Sequence, residues 1–205
     1  MRKILFIGMP GSGKGSQAQL LVPLGFVHIA TGDILRDAWK KQDPLLMPYK
    51  DSVDKGEYLP DEIIFKMLEK ATKNIKGKGY ILDGAVRTLN QAKVALKKNL
   101  FDEVVYFEVA QDVIIKRLGN RTVCPKCDKI FVGNPGKCDK CGIEVIVRED
   151  DKPEAIKKRL KIYKEKTEPL IKFLKSKVKF YTVDGTPPIP EVDKSVLKVL
   201  GLKKE

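Results

Sequence analysis

Short apolar runs alternate with amphipathic stretches along most of this chain. The runs are rich in β-branched and aromatic residues, a composition typical of buried strands. They occupy residues 3–8, 26–29, 80–83, 103–109 and 178–183. Because helical patterns follow most of these runs, the sequence predicts a parallel sheet covered by helices on both faces. This is an α/β fold built as a three-layer αβα sandwich.

The predicted helices have recognisable starts and breaks. Pro60 opens a helix that extends to about Asn74, with acidic residues in its first turn. Residues 153–176 form a long charged helical pattern, which Pro169 is expected to kink or split. A last helix is predicted over residues 190–200. The apolar face predicted for the long helix consists of Ile156, Leu160, Tyr163, Leu170 and Leu174.

Two segments interrupt this alternation. Residues 30–59 have a mostly helical pattern with no evident strand, and residues 120–151 contain cysteines, glycines and prolines with few helix formers. Both are predicted to be inserts on one core domain. That core would consist of residues 1–29, 60–119 and 152–205.

The net charge of the chain is +13, which raises the question of a nucleic-acid partner. The lysines are scattered along the whole chain, without a long basic block, so a lysine-rich surface is the preferred interpretation. No apolar stretch approaches the roughly 20 residues of a membrane helix, and the first apolar run is too short for a signal peptide. We expect a cytoplasmic monomer with neither a nucleic-acid nor a membrane partner.

Residues 8–16 (GMPGSGKGS) form a glycine-rich turn between the first predicted strand and a helix that begins near Lys14. Glycines allow backbone N–H groups to turn inward around phosphate oxygens, and a helix N-terminus adds a positive dipole. Lys14 can then reach the β- and γ-phosphates of a nucleotide. The strict phosphate-loop motif places Ser or Thr directly after the lysine, whereas here Gly15 intervenes before Ser16. The predicted phosphate-binding residues are Gly11, Ser12, Gly13, Lys14, Gly15 and Ser16.

With its serine displaced by one position, the turn resembles the GxPGxGKG[ST] motif of the adenylate kinase family. Further motifs follow in that family's order. Residues 31–36 (TGDILR) resemble its TGDxxR, residues 56–62 (GEYLPDE) its GxLVPDE, and residues 83–91 (DGAVRTLNQ) its DGFPRTxxQ. The resemblance covers essentially the whole chain. The later positions that fit the family are Arg117, Arg121, residues 148–151, Arg159 and residues 184–186.

The resemblance implies a nucleoside monophosphate kinase of the long form, which transfers a phosphoryl group reversibly from ATP to AMP with Mg²⁺ and gives two ADP. It also implies an AMP-binding insert at residues 30–59 and a zinc-binding lid at residues 120–151. The residues implied for catalysis are Lys14, Arg87, Arg121, Arg148 and Arg159. Those implied for ATP, besides the phosphate loop, are Arg117, Arg121, Ile130, Phe131 and Pro187. Those implied for AMP are Thr31, Arg36, Glu57, Tyr58, Leu59, Gly84, Ala85, Val86, Arg87, Gln91, Arg148 and Arg159.

Elementary chemistry agrees with these roles. Phosphoryl transfer needs charge neutralisation and alignment more than covalent chemistry. An AMP phosphate, with a second pKa of about 6, needs no general base.

The one histidine of the chain, His28, lies in an apolar run and is interpreted as a core residue. Asp33 and Asp83 are expected to hold Mg²⁺ through water, and helix capping is the alternative for Asp33.

All four cysteines lie in two C-x₂-C pairs, Cys124 with Cys127 and Cys138 with Cys141. Paired knuckles of this kind are typical of a structural Zn²⁺ site, in which four thiolates leave no open position for catalysis. Two disulfides, free thiols and an iron–sulfur cluster are the alternatives, and a reducing cytosol disfavours the disulfides. The metal would stabilise a lid that has little core of its own.

The chain departs from the family pattern at Ala85 and Val86, where relatives usually carry an aromatic residue and a proline. The missing ring predicts weaker AMP binding than in a variant with Ala85→Phe and Val86→Pro, by up to roughly tenfold. A bulkier Tyr58 nearby is the compensation to look for. Val86 is expected to have a trans peptide bond, because a non-proline cis bond costs about 2.5–4 kcal/mol.

Three other functions are compatible with parts of the sequence. A UMP or CMP kinase would share the motifs, but Thr31 and Gln91 favour adenine. A nucleic-acid-binding protein could use the zinc knuckles and the basic surface, yet it would not need TGDxxR or the paired arginines. A P-loop GTPase is disfavoured because the chain has no NKxD-like guanine motif.

Overall fold

A parallel sheet forms the middle layer of the molecule. The computed structural model describes residues 1–203. The strands in that range are β1 (Arg2–Gly8), β2 (Phe26–Ala30), β3 (Gly79–Asp83), β4 (Glu103–Glu108), β5 (Arg121–Val123), β6 (Ile130–Val132) and β7 (Lys179–Asp184). Within these residues five parallel strands pair in the order β2-β3-β1-β4-β7, while β5 and β6 form a separate antiparallel ribbon. The predicted strands and their parallel pairing are confirmed.

Helices cover both faces of this sheet. The α-helices are α1 (Lys14–Leu21), α2 (Thr31–Lys40), α3 (Lys50–Asp54), α4 (Asp61–Thr72), α5 (Leu89–Lys97), α6 (Gln111–Gly119), α7 (Pro153–Ile162), α8 (Glu168–Lys175) and α9 (Ile189–Leu200), with 3₁₀ turns at Val22–Leu24, Met47–Tyr49 and Glu149–Asp151. Alternate residues of β1 separate the two faces. Ile4 and Phe6 belong to a buried cluster with α1 and α9, whereas Leu5 and Ile7 belong to a cluster with α4, α5 and α8. This alternation produces the predicted three layers.

The carboxyl ends of the parallel strands meet at one edge of the sheet. The register pairs Asp83, the last residue of β3, with Phe6 in β1 and with Ala30 at the end of β2. The glycine-rich turn follows β1 directly, and residues 84–88 follow β3. Because open parallel sheets bind ligands at this edge, the chain brings both loops to one place.

The predicted long helix is broken just before Pro169. It ends as α7 at Ile162, a π-helical turn spans Tyr163–Thr167, and α8 carries Pro169 as its second residue. Proline has no N–H for the helical ladder, and its ring clashes with the carbonyl four residues earlier. The wider π-turn accommodates this break. All five residues predicted for the apolar face are buried.

The two interrupting segments have little core of their own. Residues 31–59 form α2, a 3₁₀ turn and α3, with no strand in that range. Residues 120–151 contribute the β5–β6 ribbon and a small buried cluster of Cys124, Cys138 and Val145. Among the described residues, no helix is both long and apolar enough to cross a membrane.

Candidate active site

A cavity of about 1310 Å³ lies at the carboxyl edge of the sheet. The glycine-rich turn, the strand ends, residues 31–59 and residues 120–151 form its walls. Every nucleotide-binding residue implied by the motifs lines this cavity except Ala85, and Asp33 and Asp83 line it as well. Six arginines of the described chain take part, namely Arg36, Arg87, Arg117, Arg121, Arg148 and Arg159.

The glycine-rich turn adopts a conformation that needs glycine at two positions. Gly11 and Gly13 have φ angles of 80° and 92°, in the left-handed region that side chains disfavour. Gly13 is also the residue that precedes α1, and it has no side chain to cap the first turn of that helix. The first N–H groups of α1 therefore remain available to phosphate oxygens.

Lys14 begins α1 and folds back over the turn. Its Nζ donates to the carbonyls of Gly8 (2.8 Å) and Met9 (2.9 Å). Burial lowers the pKa of Lys14 to about 8; Asp83 opposes this shift, and the charge of Arg87 reinforces it. A cation with this pKa and few neighbouring carboxylates is well suited to an anionic ligand.

Asp83 is the carboxylate at the centre of the site. Although burial opposes its ionisation, a hydrogen bond from His28 and the charge of Lys14 hold the pKa of Asp83 below its usual value. His28 Nε2 lies 3.4 Å from Asp83 Oδ2, and Gln19 Nε2 lies 3.0 Å from His28 Nδ1. The His28 side chain is only 6% exposed, but the interpretation as a core residue is only partly right, because His28 lines the cavity and contacts a site residue.

Asp33 does not cap α2. That helix begins at Thr31, its preceding residue is Ala30, and no side chain caps it. Asp33 lies in the first turn, half-exposed, where it forms an ion pair with Arg36. The capping alternative is therefore wrong, because the helix starts at Thr31, three residues earlier than a cap at Asp33 requires.

Carboxylates and carbonyls hold three of the arginines in place. Arg121 donates through Nε and Nη2 to the two carboxylate oxygens of the buried Asp151, at 2.7 and 2.6 Å. Arg159 donates to the carbonyl of Asp150 (2.8 Å) and lies 3.2 Å from Asp151 Oδ1. Arg117 donates to the carbonyl of Gly185 (2.8 Å). Such paired guanidinium groups present fixed donors to phosphate.

Arg148 is the cation with the least compensation. Its Nε is buried and has no hydrogen-bond partner within residues 1–203. Burial, together with the charges of Arg36 and Arg121, lowers the pKa of Arg148 to about 10. A buried donor without a partner is costly, and an anion in the cavity would satisfy it. The set of donors thus fits a polyphosphate ligand.

The wall formed by residues 31–59 faces the loop after β3. Thr31 Oγ1 donates to the carbonyl of Gly84 (2.9 Å), and Glu57 pairs with Lys158 at 2.7 Å. Gln91, implied for adenine, uses its side chain internally: Oε1 accepts from the Arg87 N–H (2.7 Å), and Nε2 donates to Asp61 (2.8 Å).

Ala85 and Val86 occupy the interior of the same loop. Ala85 is 0% exposed and belongs to the large hydrophobic cluster, whereas Val86 is buried at the cavity wall. The described residues contain no cis peptide bond, so Val86 is trans, as predicted. The Ala85 side chain does not line the cavity, so a ring at this position would have to enter the hydrophobic cluster around it.

Comparison with known proteins decides the family. The sequence profile described as Adenylate kinase matches residues 6–179 of the chain. The chain is similar to the adenylate kinases of Petrotoga mobilis and Fervidobacterium nodosum, with 38% and 39% identity over 211 residues that cover 97% of each protein. It is also 38% identical to the adenylate kinase of Clostridium perfringens strain SM101 over 215 residues, 98% of this chain and 100% of the relative.

The chain belongs to the adenylate kinase family. The motif resemblance and the enzyme class, a nucleoside monophosphate phosphotransferase, are thereby confirmed.

Four thiols converge within residues 120–151. The Sγ atoms of Cys124, Cys127, Cys138 and Cys141 all lie within 4.8 Å of one another, and all four cysteines are free rather than joined in disulfides in this structure. A tetrahedral Zn²⁺ with bonds of about 2.3 Å requires Sγ atoms about 3.8 Å apart. The Sγ atoms of Cys127 and Cys138 are 3.8 Å apart, so the donor set fits this metal.

Several contacts at the site have little or no signal in the sequence. Thr167 lines the cavity and its hydroxyl donates to the Arg87 carbonyl (2.8 Å). The Tyr58 ring lies over the Arg87 guanidinium, and Asp151 anchors Arg121. For the contact of Asp151 with Arg121, the only signal in the sequence is the run of acidic residues after Arg148.

Proposed function

We propose that this member of the adenylate kinase family is an ATP:AMP phosphotransferase that interconverts ATP plus AMP with two ADP. The observation that carries the proposal is the composition of one cavity. The glycine-rich turn, residues 31–59 and a set of buried or anchored cations all line it. A cavity of this kind suits two nucleotides whose phosphates meet in the middle.

The chain's own residues supply alignment and charge. The N–H groups of the phosphate loop and Lys14 bind the β- and γ-phosphates of ATP, while Arg36 and Arg87 hold the AMP phosphate. Arg121, Arg148 and Arg159 contact the phosphoryl group in transit, where donors fixed beforehand stabilise the developing charge. No general base is needed, since the AMP phosphate is already ionised near neutral pH.

Mg²⁺ with ATP fits the acidic residues of this site. Asp83 has a lowered pKa and Asp33 lies at the cavity wall, so both carboxylates can hold the ion through water. When bound, Mg²⁺ neutralises phosphate charge. His28, which contacts Asp83, orients that carboxylate.

Base recognition is assigned from the family pattern. Arg117, Ile130, Phe131 and Pro187 would contact the adenine end of ATP, and all four line the cavity. Thr31, Gln91 and the backbone of residues 57–59 would surround AMP. Gln91 retains one N–H and one lone pair beyond its two internal hydrogen bonds, which suffices for an adenine contact.

Three parts of the chain would share this work. Residues 1–29, 60–119 and 152–205 would form the core, with residues 204 and 205 outside the part of the chain that the structure describes. Residues 30–59 would be the AMP-binding insert, and residues 120–151 the lid. We assign Zn²⁺ to the four lid cysteines, with a structural role. Closure of the insert and lid would exclude water and prevent wasteful hydrolysis of ATP.

A coupled assay for ADP tests the proposal. Wild-type protein with ATP·Mg is expected to use AMP far better than UMP, CMP or GMP. A preference for UMP or CMP would move the protein to the pyrimidine kinases, which the relatives do not favour. Salt-dependent nucleic-acid binding without any transfer activity would instead support a zinc-knuckle protein.

A further inference from the structure

The main chain of Arg87 is held on both sides. Its N–H donates to Gln91 Oε1 at 2.7 Å, and its carbonyl accepts a hydrogen bond from Thr167 Oγ1 at 2.8 Å. Thr167 is buried and lies at the end of the π-helical turn between α7 and α8. A residue far along the chain therefore fixes the loop that carries a cation of the site.

The hydroxyl of Tyr58 extends this arrangement. Tyr58 OH lies 3.0 Å from Thr167 Oγ1. A hydroxyl has a single hydrogen, and Thr167 donates its hydrogen to the Arg87 carbonyl. The hydrogen between the two hydroxyls must then come from Tyr58, which gives a directed chain of donors from Tyr58 to Thr167 to Arg87.

The ring of Tyr58 also acts on the guanidinium itself. Arg87 Cζ lies 5.0 Å from the centroid of the Tyr58 ring, within the range of a cation–π interaction. Arg87 Nε donates to the carbonyl of Gly84 at 2.8 Å. The ring face and this carbonyl together restrict the orientation of the planar group.

The loop needs such restraint because of its sequence. Ala85 is fully buried away from the cavity wall, so it offers no ring to the ligand. Val86 lacks the pyrrolidine ring that would lock φ. Contacts from outside the loop must supply the order that an aromatic–proline pair would otherwise contribute.

We propose that Tyr58 and Thr167 are positioning residues that hold Arg87 for the AMP phosphate, in place of the aromatic–proline pair absent from this chain. The inference rests on the proposed function, because it takes AMP as the ligand of Arg87. Tyr58 belongs to residues 30–59, whereas Thr167 and Arg87 belong to the core. The ring and its hydroxyl thus join the two walls of the AMP side of the cavity.

Two conservative variants test the chain of donors. Thr167→Val and Tyr58→Phe each remove one hydroxyl and are expected to raise the KM for AMP by roughly two- to tenfold. The KM for ATP and the kcat should stay near wild type. The combined variant should cost less than the product of the two single effects, because both hydroxyls act along one path. Thr167→Ser, which keeps the hydroxyl, should restore AMP affinity.

Two matched variants control for a merely structural role. Tyr80→Phe removes a buried hydroxyl that donates to the Leu100 carbonyl (2.8 Å), and Thr72→Val removes a partly buried hydroxyl that donates to the Leu68 carbonyl (2.8 Å). Both are expected to lower the unfolding temperature without changing the KM for AMP. An equal rise in that KM in these controls would overturn the proposal.

Calorimetric titration with AMP alone separates this proposal from the proposed function. A wild type that binds AMP more tightly than Thr167→Val or Tyr58→Phe, yet transfers no phosphoryl group, would refute the function and support the positioning role. Equal AMP affinities, or a wild type that does not bind AMP, would overturn the positioning role. If Thr167→Val does not fold, Tyr58→Phe decides the question by the same criteria.

Discussion

At the residue scale, the lowered pKa of Lys14 predicts a basic limb in the pH profile. In the free protein the pKa is about 8 because the ammonium is buried. Lys14 therefore loses its charge as pH rises through 8, and kcat/KM for ATP·Mg should fall there. Bound phosphates favour the charged form, so kcat itself should fall at higher pH. Initial rates between pH 6 and 10 measure both profiles.

Substitution of the same residue provides the control. Lys14→Arg keeps its charge over the whole range, so its residual kcat/KM should lack the limb near pH 8. A limb that persists in this variant would assign the titration to another group. Lys14→Ala should lower kcat by orders of magnitude with the fold intact.

The lowered pKa of Lys14 also makes the stability of the fold depend on pH in a defined direction. The folded pKa is below the ordinary lysine value of 10.5, so the unfolded chain binds more protons between about pH 8 and 10.5, and stability rises with pH in that window. Below pH 8 the folded state carries the full cost of the buried ammonium. Lys14→Met is expected to unfold at a higher temperature than wild type at pH 7, and the difference should shrink toward pH 10.

Ala85 leads to a different prediction from the one that its motif suggests. The sequence predicts that a ring at this position improves AMP binding, but Ala85 is 0% exposed within the main hydrophobic cluster. Ala85→Phe should therefore overpack the core at a cost of about 1–3 kcal/mol, which lowers the unfolding temperature by roughly 2–12 °C. The KM for AMP should not improve.

Thermal unfolding and AMP kinetics of this variant decide between the two expectations. Ala110→Phe is the matched control, because Ala110 is exposed and a ring there should leave the unfolding temperature unchanged. A stable Ala85→Phe protein with a lower KM for AMP would reinstate the interpretation made from the motif alone.

At the element scale, we expect the folding of the proposed lid, residues 120–151, to depend on metal. The buried part of residues 120–151 consists largely of the cysteines themselves, with Val145 and a partly buried Phe131. A segment with so small an apolar core needs the metal in order to fold. We expect about one Zn²⁺ per chain by elemental analysis. A chelator should make the lid sensitive to protease and lower the unfolding temperature, and added Zn²⁺ should reverse both changes.

The core serves as the internal control for this experiment. Chelation should leave the five-stranded sheet protected from protease, since its buried clusters contain none of the cysteines. Protein free of zinc and iron that keeps an ordered lid would contradict a structural metal.

At the scale of the whole molecule, the lid and the insert touch each other directly. Lys40 Nζ, at the end of α2, donates to Asp128 Oδ2 at 2.9 Å, and Arg36 Nε lies 3.8 Å from Asp128 Oδ1. Both side chains of the Lys40 pair are partly exposed, so the interaction is modest and sensitive to salt. This ion pair connects the lid to the insert, which are the two parts that move in the proposed mechanism.

Asp128→Asn is expected to loosen this contact. If lid opening limits turnover, the variant should show a kcat raised by roughly 1.4- to fivefold and higher KM values for both nucleotides. Asn is tolerated at this residue, whose φ is 56°. Asp139→Asn is the matched control, because Asp139 pairs with Lys129 inside the lid. Identical kinetics in the two variants would remove the contact from the mechanism.

The sequence by itself determined the main elements and indicated the residues that gather at the cavity. Apolar runs that are buried on both faces predicted the five parallel strands, and successive glycines predicted the turn at Gly11 and Gly13. The C-x₂-C pairs predicted four thiols in one place. These features are local: each depends on residues within a few positions of one another, so their physical cause is visible in the order of the residues.

Only the tertiary structure decided which distant groups meet. Asp151 anchors Arg121 across 30 positions, His28 contacts Asp83 across 55, and Thr167 holds the Arg87 carbonyl across 80. The tertiary structure also buried Ala85 in the core, whereas the motif predicted that this residue would line the AMP site. Hydrogen bonds and burial of this kind depend on how helices pack on the sheet. No short pattern in the chain specifies that packing, because it arises from all the buried side chains together.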